Sequence, residues 1–321
     1  MDDNQTKCQN ARECWFLTGA TASGKSAISM EMAAALNAEI VSLDSMAIYR
    51  EMDIGTAKPK SEDRKKLPHH LIDIVDPTEQ FSVSQYREAA LAAIEEIRSR
   101  GKEVLFVGGT ALYLKALLRG MFDGPPADWD FRNEVEREIA EMGADFLHQR
   151  LEMIDPVSAS NLHPNDHRRI IRALEVYKTT GKPISHWQMQ FDEGHAAHEC
   201  NVFTIRHERS RLHERIEQRV DNMFEQGLVD EVQSLLNKWK TLGHTASQAV
   251  GYREVIAHLN GELTLEEMRE KVRVRTRRFA RHQETWFRGL SECFIVDLDE
   301  PFDAAQIAKQ LLAQPQKNSA T

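Results

Sequence analysis

One segment of the sequence, Gly19–Ser26, has the residue types and spacing of a phosphate-binding loop. It matches the pattern G-x-x-x-x-G-K-[ST], in which glycines let backbone N–H groups converge on phosphate oxygens. Lys25 would contact the terminal phosphates, and the Ser26 hydroxyl would hold Mg²⁺. The segment therefore predicts a diphosphate or nucleotide site with Mg²⁺ as cofactor, formed by Gly19, Ala20, Thr21, Ala22, Ser23, Gly24, Lys25 and Ser26.

A single acid, Asp44, follows the second predicted strand. NTP hydrolases usually place an acid after another strand to hold Mg²⁺, but strand Glu103–Val107 ends in Gly108-Gly109-Thr110. Because the carboxyl ends of neighbouring parallel strands line one crevice, Asp44 should face the loop. There it could hold Mg²⁺ or accept a proton, and the alternative is that it only caps the turn at Ser45.

The elements that would position these residues alternate between strands and helices, which predicts an α/β fold with a parallel sheet. A capping box, Ser82 with Gln85, should open the longest early helix, and Gly101 should end it. The predicted strands are Cys14–Thr18, Glu39–Asp44 and Glu103–Val107, and the predicted helices are Ser26–Leu36 and Ser82–Arg100.

The pattern changes after the turn at Gly124-Pro125-Pro126. From Gly120 to Ala197 only helical periods are present, and strands are predicted again at Asn201–Ile205 and Cys293–Leu298. We therefore expect a P-loop-type parallel sheet flanked by helices and interrupted by an all-helical insertion. The predicted parts are the first part of the core at 1–119, the insertion at 120–199, and the rest of the core with C-terminal helices at 200–321.

The composition of the 321 residues, 41% hydrophobic and 28% charged, is that of a globular protein and excludes a mostly disordered one. Apolar runs are too short to cross a bilayer, and the polar segment Met1–Arg12 is unlike a signal peptide, so we expect a cytoplasmic protein without a membrane partner. The four cysteines form no C-x-x-C pair, which argues against a zinc cluster.

Arginines are concentrated in three clusters, although the net charge is −9. Such clusters could hold a polyanion at one place. They comprise Arg168, Arg169 and Arg172; Arg206, Arg209, Arg211, Arg215 and Arg219; and Arg273, Arg275, Arg277, Arg278 and Arg281. The last cluster lies on a predicted helix, Leu265–Arg288, where Val272, Phe279 and Trp286 repeat every seven residues and are expected to face the core.

Taken together, these segments resemble the tRNA dimethylallyltransferase family over about residues 14–290. The Asp44–Tyr49 and Met52–Pro59 blocks are the most specific matches. The others are Gly19–Ser26, His69–Asp73, Gly108–Thr110 with Tyr113, His163–Asp166 with Arg168, Arg169 and Arg172, Leu212-His213 with Arg215 and Arg219, Val250–Arg253, and Arg281–Arg288 around Trp286. Two positions depart from the family pattern. Ala20 stands where the family often has proline, and Ala47 stands where many members have glutamine. No base-contacting role is therefore assigned to the Ala47 side chain.

The resemblance implies transfer of a dimethylallyl group from dimethylallyl diphosphate to the N6 amine of the adenosine just 3′ of a tRNA anticodon. It implies Asp44 as general base and Thr21 as a second catalytic residue beside the reacting carbon. Arg215 is expected to contact the diphosphate, with Arg219 as the alternative. From the residues alone, Arg215 could equally be an exposed helix residue paired with Glu214 or Glu217.

The resemblance also implies tRNA as a partner, gripped at its anticodon stem-loop by the helical insertion. The enzyme is expected to be a monomer. The residues expected to contact tRNA are Asp44, Ser45, Met46, Ala47, Thr110, Arg132, Arg168, Arg169, Ile170, Ile171, Arg172, Gln248, Ala249, Val250, Gly251, Tyr252, Arg253, Arg281, His282 and Arg288. No chemical role follows from the sequence for Asp53, Lys58 or Asp73.

Three other functions fit part of the pattern. A small-molecule kinase would use the loop and Asp44, but it would not need the arginine clusters. An enzyme that transfers a prenyl group to free AMP would have less need of the arginine clusters, because it does not bind tRNA. A nucleotide-switched RNA-binding protein would require triphosphate specificity, for which the sequence has no signal.

Overall fold

The computed structural model describes residues 3–122, 124–188, 194–299 and 301–314. The chain divides into two compact units. The first contains Met1–Leu118 and His195–Thr321, and the second contains Arg119–Gly194, where the sequence predicted an insertion at 120–199.

Six strands of the first unit form one sheet in which every neighbouring pair is parallel. This confirms the predicted parallel α/β fold. The strands are β1 (Trp15–Gly19), β2 (Ala38–Ser42), β3 (His69–His70), β4 (Glu103–Gly108), β5 (Asn201–His207) and β6 (Cys293–Leu298), in the order β3-β2-β4-β1-β5-β6. The sequence did not predict β3, because two residues are too few to show an alternating pattern.

Helices precede, connect and follow the strands, and within the described residues the second unit is entirely helical. A 3₁₀ helix covers Ala197–Glu199. The α-helices before and in the second unit are α1 (Asp3–Arg12), α2 (Lys25–Leu36), α3 (Ser61–Lys66), α4 (Val83–Ser99), α5 (Ala111–Arg119), α6 (Trp129–Met142), α7 (Ala144–Ile154), α8 (Pro156–Asn161), α9 (His167–Thr180) and α10 (Ile184–Gln188). Those after it are α11 (Arg209–Glu225), α12 (Leu228–Trp239), α13 (His244–Ser247), α14 (Tyr252–Leu259), α15 (Leu265–Arg288) and α16 (Ala304–Leu312).

Helices cover both faces of the central strands, and successive side chains of each strand point to opposite faces. On β1, Phe16 packs with residues of α4 and α5, whereas Leu17 packs with residues of α2 and α16. The capping box of Ser82 and Gln85 at the start of α4 is confirmed. A further apolar cluster joins α12, α14 and α15 to Tyr49 and Met52.

The order of the strands brings the candidate site together. Strand β4 lies between β2 and β1, so Asp44 after β2 and the loop after β1 flank Gly108-Gly109-Thr110. On its other side, β1 pairs with β5, which leads into α11 and its arginines. All these strands are parallel, and their carboxyl ends therefore meet at one edge of the sheet.

The predicted core stripe of α15 is only partly correct. Val272 is buried, but Phe279 and Trp286 are 46% and 47% exposed. A helix has 3.6 residues per turn, so a seven-residue repeat drifts by about 20° per repeat. The drift carries the two aromatic rings to the border of the buried stripe, which continues instead through Met268, Val272, Thr276, Ala280, Gln283 and Phe287.

Within the described residues, no helix is both long and apolar enough to cross a membrane.

Candidate active site

The loop Gly19–Ser26 curls between β1 and α2 as its residue types require. Ala22 and Gly24 are left-handed, with φ of 63° and 87°. A Cβ at position 24 would also lie 2.6 Å from Cζ of Phe302, so the turn needs glycine there. His207 Nε2 donates to the Ser23 carbonyl at 2.9 Å and fixes the far side of the loop.

Lys25 lies in the loop with its ammonium close to backbone carbonyls. Its Nζ donates to the carbonyls of Gly19 at 2.9 Å and Ala20 at 2.6 Å. Burial, reinforced by the charge of Arg219 and opposed by Asp44, lowers the pKa of Lys25 to about 7. A bound anion would favour the charged ammonium, so this environment suits a diphosphate.

Arg215 of α11 is hydrogen-bonded to the loop. Arg215 Nε donates to the Ala22 carbonyl at 2.7 Å, and its guanidinium lies 5.7 Å from the centre of the Phe302 ring. Glu214 and Glu217, its suggested partners, pair with Arg211 and Arg277.

Arg219, one turn further along α11, has a buried Nε that bonds no other described residue. Burial lowers the pKa of Arg219, although Asp44 partly offsets this. Arg219 is therefore a cation close to Lys25 and Asp44, and its buried donor is available to an anion in the loop.

Asp44 caps its own turn and keeps one oxygen available. Its Oδ1 accepts hydrogen bonds from the amides of Met46 at 2.7 Å and Ala47 at 3.3 Å. Oδ2 has no hydrogen-bond partner in the part of the chain that the structure describes. The amide of Ser45, next in the chain, donates to Thr110 Oγ1 at 3.1 Å, which ties this turn to the end of β4. The carboxylate can thus act as a fixed proton acceptor.

A residue that sequence reasoning missed, Gln283 of α15, connects the loop to β4. Its Oε1 accepts from the Thr21 amide at 2.8 Å, and its Nε2 donates to the Gly109 carbonyl at 2.9 Å. The sequence offered no signal for this role, because the predicted core stripe of α15 ran through Val272, Phe279 and Trp286, whereas Gln283 lies on the stripe that is buried in the structure.

A cavity of about 1050 Å³ opens beside these residues, entirely within the first unit. Its wall combines the exposed rings of Phe279 and Trp286 with the cationic side chains of Arg253 and Arg278. Of the residues predicted to bind tRNA, it includes Ser45, Thr110, Val250, Arg253 and His282. Flat rings beside cations can bind nucleic-acid bases and their phosphates.

Comparison with known proteins identifies the type of enzyme. A family model described as IPP transferase matches residues 47–290, more than half of the chain. The chain belongs to the IPP transferase family.

Relatives of this family member cover most of its length. A tRNA dimethylallyltransferase from Rhodopirellula baltica is 49% identical over 86% of this chain and 85% of its own length. One from Geobacter metallireducens is 46% identical over 90% of this chain and 94% of its own length.

Solved structures share the fold. A tRNA isopentenylpyrophosphate transferase from Bacillus halodurans, 38% identical, gives a TM-score of 0.66 over 94% of this chain and 96% of its own. A eukaryotic dimethylallyltransferase described as acting on tRNA, 26% identical, gives 0.74 over 95% of this chain and 81% of its own.

In this IPP transferase, three of the five arginines in the α15 cluster form ion pairs within the first unit. Arg273 pairs with Asp221, and Arg277 pairs with Glu217. Arg275 pairs with Glu254. Arg281 and Arg288 are exposed and lie outside the set of residues that line the cavity.

The Gln248–Arg253 segment is divided between core and cavity. Ala249 and Tyr252 are buried, so their side chains face the protein. Gln248 accepts a hydrogen bond from Arg253 at 3.3 Å. The Gly251 amide donates to the Glu254 carboxylate at 3.0 Å, and this contact caps the N-terminus of α14.

In the second unit, the predicted tRNA-binding residues also have structural contacts. Arg132 makes two hydrogen bonds, of 2.8 and 2.9 Å, to the fully buried Glu175, and Arg172 pairs with the same carboxylate. The side chains of Ile170 and Ile171 lie in the core of this unit. Arg168 and Arg169 are exposed at the start of α9, and Arg169 pairs with Asp166.

The Met52–Pro59 block has a structural role that the sequence did not reveal. Lys58 Nζ is almost fully buried and contacts the carboxylates of Asp53 at 2.7 Å and Asp73 at 2.5 Å. Burial raises the pKa of Asp73, but hydrogen bonds from Lys58 and Arg64 outweigh it, and the net pKa is lowered. Asp53, Lys58 and Asp73 therefore hold this block together.

Glu231 of α12 is a second missed residue that positions this block. It accepts hydrogen bonds from the amides of Asp53 at 3.0 Å and Ile54 at 2.7 Å, and from the Tyr252 hydroxyl at 2.6 Å. Nothing in the spacing of Glu231 along α12 distinguishes it from an exposed acid, so the sequence offered no signal.

We expect Arg219→Met to weaken binding of inorganic pyrophosphate about ten- to a hundredfold, since a hydrogen bond to a charged group contributes about 1.5–3 kcal/mol. Titration calorimetry with Mg²⁺ pyrophosphate measures this. Arg209→Met, at an exposed position on the same helix, is the control and should leave the affinity unchanged. Equal affinities in the two variants would contradict a role of Arg219 in anion binding.

Proposed function

We propose that this protein transfers a dimethylallyl group from dimethylallyl diphosphate to the N6 amine of the adenosine 3′-adjacent to the anticodon in tRNA and releases diphosphate. The observation that carries the proposal is the meeting of an anion loop and a carboxylate, Asp44, at one edge of the sheet, beside a cavity with an aromatic and cationic wall. The relatives at 46–49% identity that are named tRNA dimethylallyltransferase support it.

The reaction breaks the bond between the allylic carbon and the diphosphate oxygen, and the electron pair leaves with the diphosphate. Lys25, the loop amides, Arg215 and Arg219 would stabilise the negative charge that develops there. The adenine nitrogen forms the new bond to carbon, and its proton passes to Oδ2 of Asp44. Thr21 is the residue of the loop that we place beside the reacting carbon.

Mg²⁺ is the cofactor that we propose. The described residues contain no group of three His, Cys, Asp or Glu side chains that could hold a metal by themselves. This agrees with the way in which Mg²⁺ is usually bound, through one or two protein oxygens and substrate phosphates. Ser26, exposed at the start of α2, is the side chain that would supply an oxygen to the ion. When bound, the ion would neutralise charge on the diphosphate.

On the tRNA side, the target adenosine must leave the stack of the anticodon loop to reach Asp44. Unstacked RNA bases are commonly held on aromatic rings and arginine planes. Trp286 and Phe279 of the cavity wall, with Arg253 and Arg278, provide such surfaces. We expect Arg168 and Arg169 of the second unit to contact the RNA backbone.

We also propose that the enzyme works as a monomer in the cytoplasm, where its tRNA substrate is found. Sedimentation analysis of the purified chain tests the first part.

A labelled-substrate assay distinguishes this function from its alternatives. The protein and Mg²⁺ are incubated with radiolabelled dimethylallyl diphosphate and either unmodified tRNA or AMP, and separately with γ-labelled ATP and nucleoside acceptors. We expect label in tRNA. Label in AMP but not in tRNA would identify a different prenyl acceptor, and phosphate transfer from ATP would identify a kinase.

Replacing Asp44 should slow turnover without unfolding the protein. We expect Asp44→Ala to lower kcat by about 10²- to 10⁴-fold, the usual contribution of general base catalysis. Asp44→Asn is the sharper variant, because its amide oxygen can still accept from Met46 and Ala47 but cannot take the proton. Single-turnover rates near the wild-type value in Asp44→Asn would remove Asp44 as the base.

We expect Trp286→Ala to weaken tRNA binding about five- to 150-fold, since stacking of a base on an aromatic ring contributes about 1–3 kcal/mol. The side chain is exposed, so the fold should tolerate the change. Filter binding measures the affinity, with Leu265→Ala as a control at an exposed apolar position of α15 outside the cavity. The same tRNA affinity in both variants would argue against stacking at this wall.

A further inference from the structure

The side-chain amide of Gln283 joins two segments that are far apart in the chain. It accepts from the Thr21 amide at 2.8 Å and donates to the Gly109 carbonyl at 2.9 Å. The side chain lies on the buried stripe of α15, and the residue is only 7% exposed. An amide satisfied at both ends in this way fixes the distance between the segments that it joins.

These bonds continue as far as the proposed base. Gly109 is followed by Thr110, whose hydroxyl accepts the Ser45 amide at 3.1 Å, and Ser45 directly follows Asp44. A short series of hydrogen bonds and peptide links thus connects Thr21 of the loop with the turn that holds Asp44.

We propose that Gln283 is a positioning residue that sets the placement of Thr21 relative to Asp44, an inference that rests on the proposed function. Gln283 holds the backbone of Thr21 through the hydrogen bond from the Thr21 amide. The position of this backbone in turn sets the position of the Thr21 side chain. Reactions between bound groups are sensitive to such placement, and a shift of about 1 Å can slow a reaction by about 10²-fold.

The residue type at 283 agrees with this role. The site requires an acceptor for the Thr21 N–H and a donor for the Gly109 carbonyl, and a glutamine supplies both. A carboxylate lacks the donor, and an aliphatic side chain lacks both. At position 109 a Cβ would collide with Nε2 of Gln283, so glycine there lets the amide reach the carbonyl.

The first test uses Gln283→Met, which keeps the length and loses both hydrogen bonds. We expect kcat to fall about 10- to 100-fold while the KM for dimethylallyl diphosphate changes less than about threefold, because the diphosphate contacts remain. Hydrogen exchange of the peptide containing Gly19–Ser26 should become faster, independently of activity. Thr276→Val is the matched control, because it removes a buried hydrogen bond that α15 makes only within itself.

The second test uses Gln283→Glu and the pH profile. A buried carboxyl group has a raised pKa, and in its protonated form it regains a donor for the Gly109 carbonyl. We expect its kcat, divided by the wild-type kcat, to rise as the pH is lowered. Lys25 of the loop, Asp44 after β2 and His282 of α15 are present in both proteins, so dividing by the wild-type kcat largely removes their contribution from the ratio.

The outcomes separate the two proposals. A kcat within twofold of wild type in Gln283→Met, a ratio for Gln283→Glu that does not change with pH, or the same losses in Thr276→Val would overturn the positioning role. A wild-type protein that transfers no dimethylallyl group would overturn the proposed function instead. In that event faster exchange of the loop in Gln283→Met would still support Gln283 as the residue that holds it, and unchanged exchange would reject this.

Discussion

Two cations, Lys25 and Arg219, share a poorly solvated region at the carboxyl edge of the sheet, and much of the site can be understood from this one electrostatic constraint. Burial and mutual repulsion lower the pKa of Lys25, while Asp44 works in the opposite direction. The carbonyls of Gly19 and Ala20 accept hydrogen bonds from the ammonium of Lys25, and the Ala22 carbonyl accepts one from Arg215. An arrangement of this kind favours a ligand with concentrated negative charge and disfavours neutral ones.

The local parts of this arrangement were predictable from the sequence. A phosphate loop, a capping box and a strand followed by an acid are each encoded in a few consecutive residues, and the parallel sheet follows from their alternation. Helix α15 was predicted with the bounds that the structure has, Leu265–Arg288. Asp44 was predicted to face the loop because strand ends of a parallel sheet share an edge.

The parts that were not predictable depend on contacts between distant segments. Gln283 meets the loop across 262 positions of the chain, and Glu231 meets the Met52–Pro59 block across 178. Neither residue type suggests its role without the fold. The exposed rings of Phe279 and Trp286 were assigned to the core because they repeat every seven residues with the buried Val272. Such a repeat shifts around the helix by about 20° each time, and the sequence does not show at which repeat the side chains leave the buried face. Arginine clusters were equally ambiguous, since Arg273, Arg275 and Arg277 bind neighbouring acids.

The close approach of Gln283 to Gly109 has a consequence for how the sequence can vary. Any side chain at position 109 would occupy the space of the Gln283 amide and also come within 3.2 Å of the Gly19 carbonyl. The two positions are therefore constrained as a pair. A change from glycine at 109 would be tolerated only together with a shorter residue at 283, and the loop would then need a different partner for the Thr21 amide.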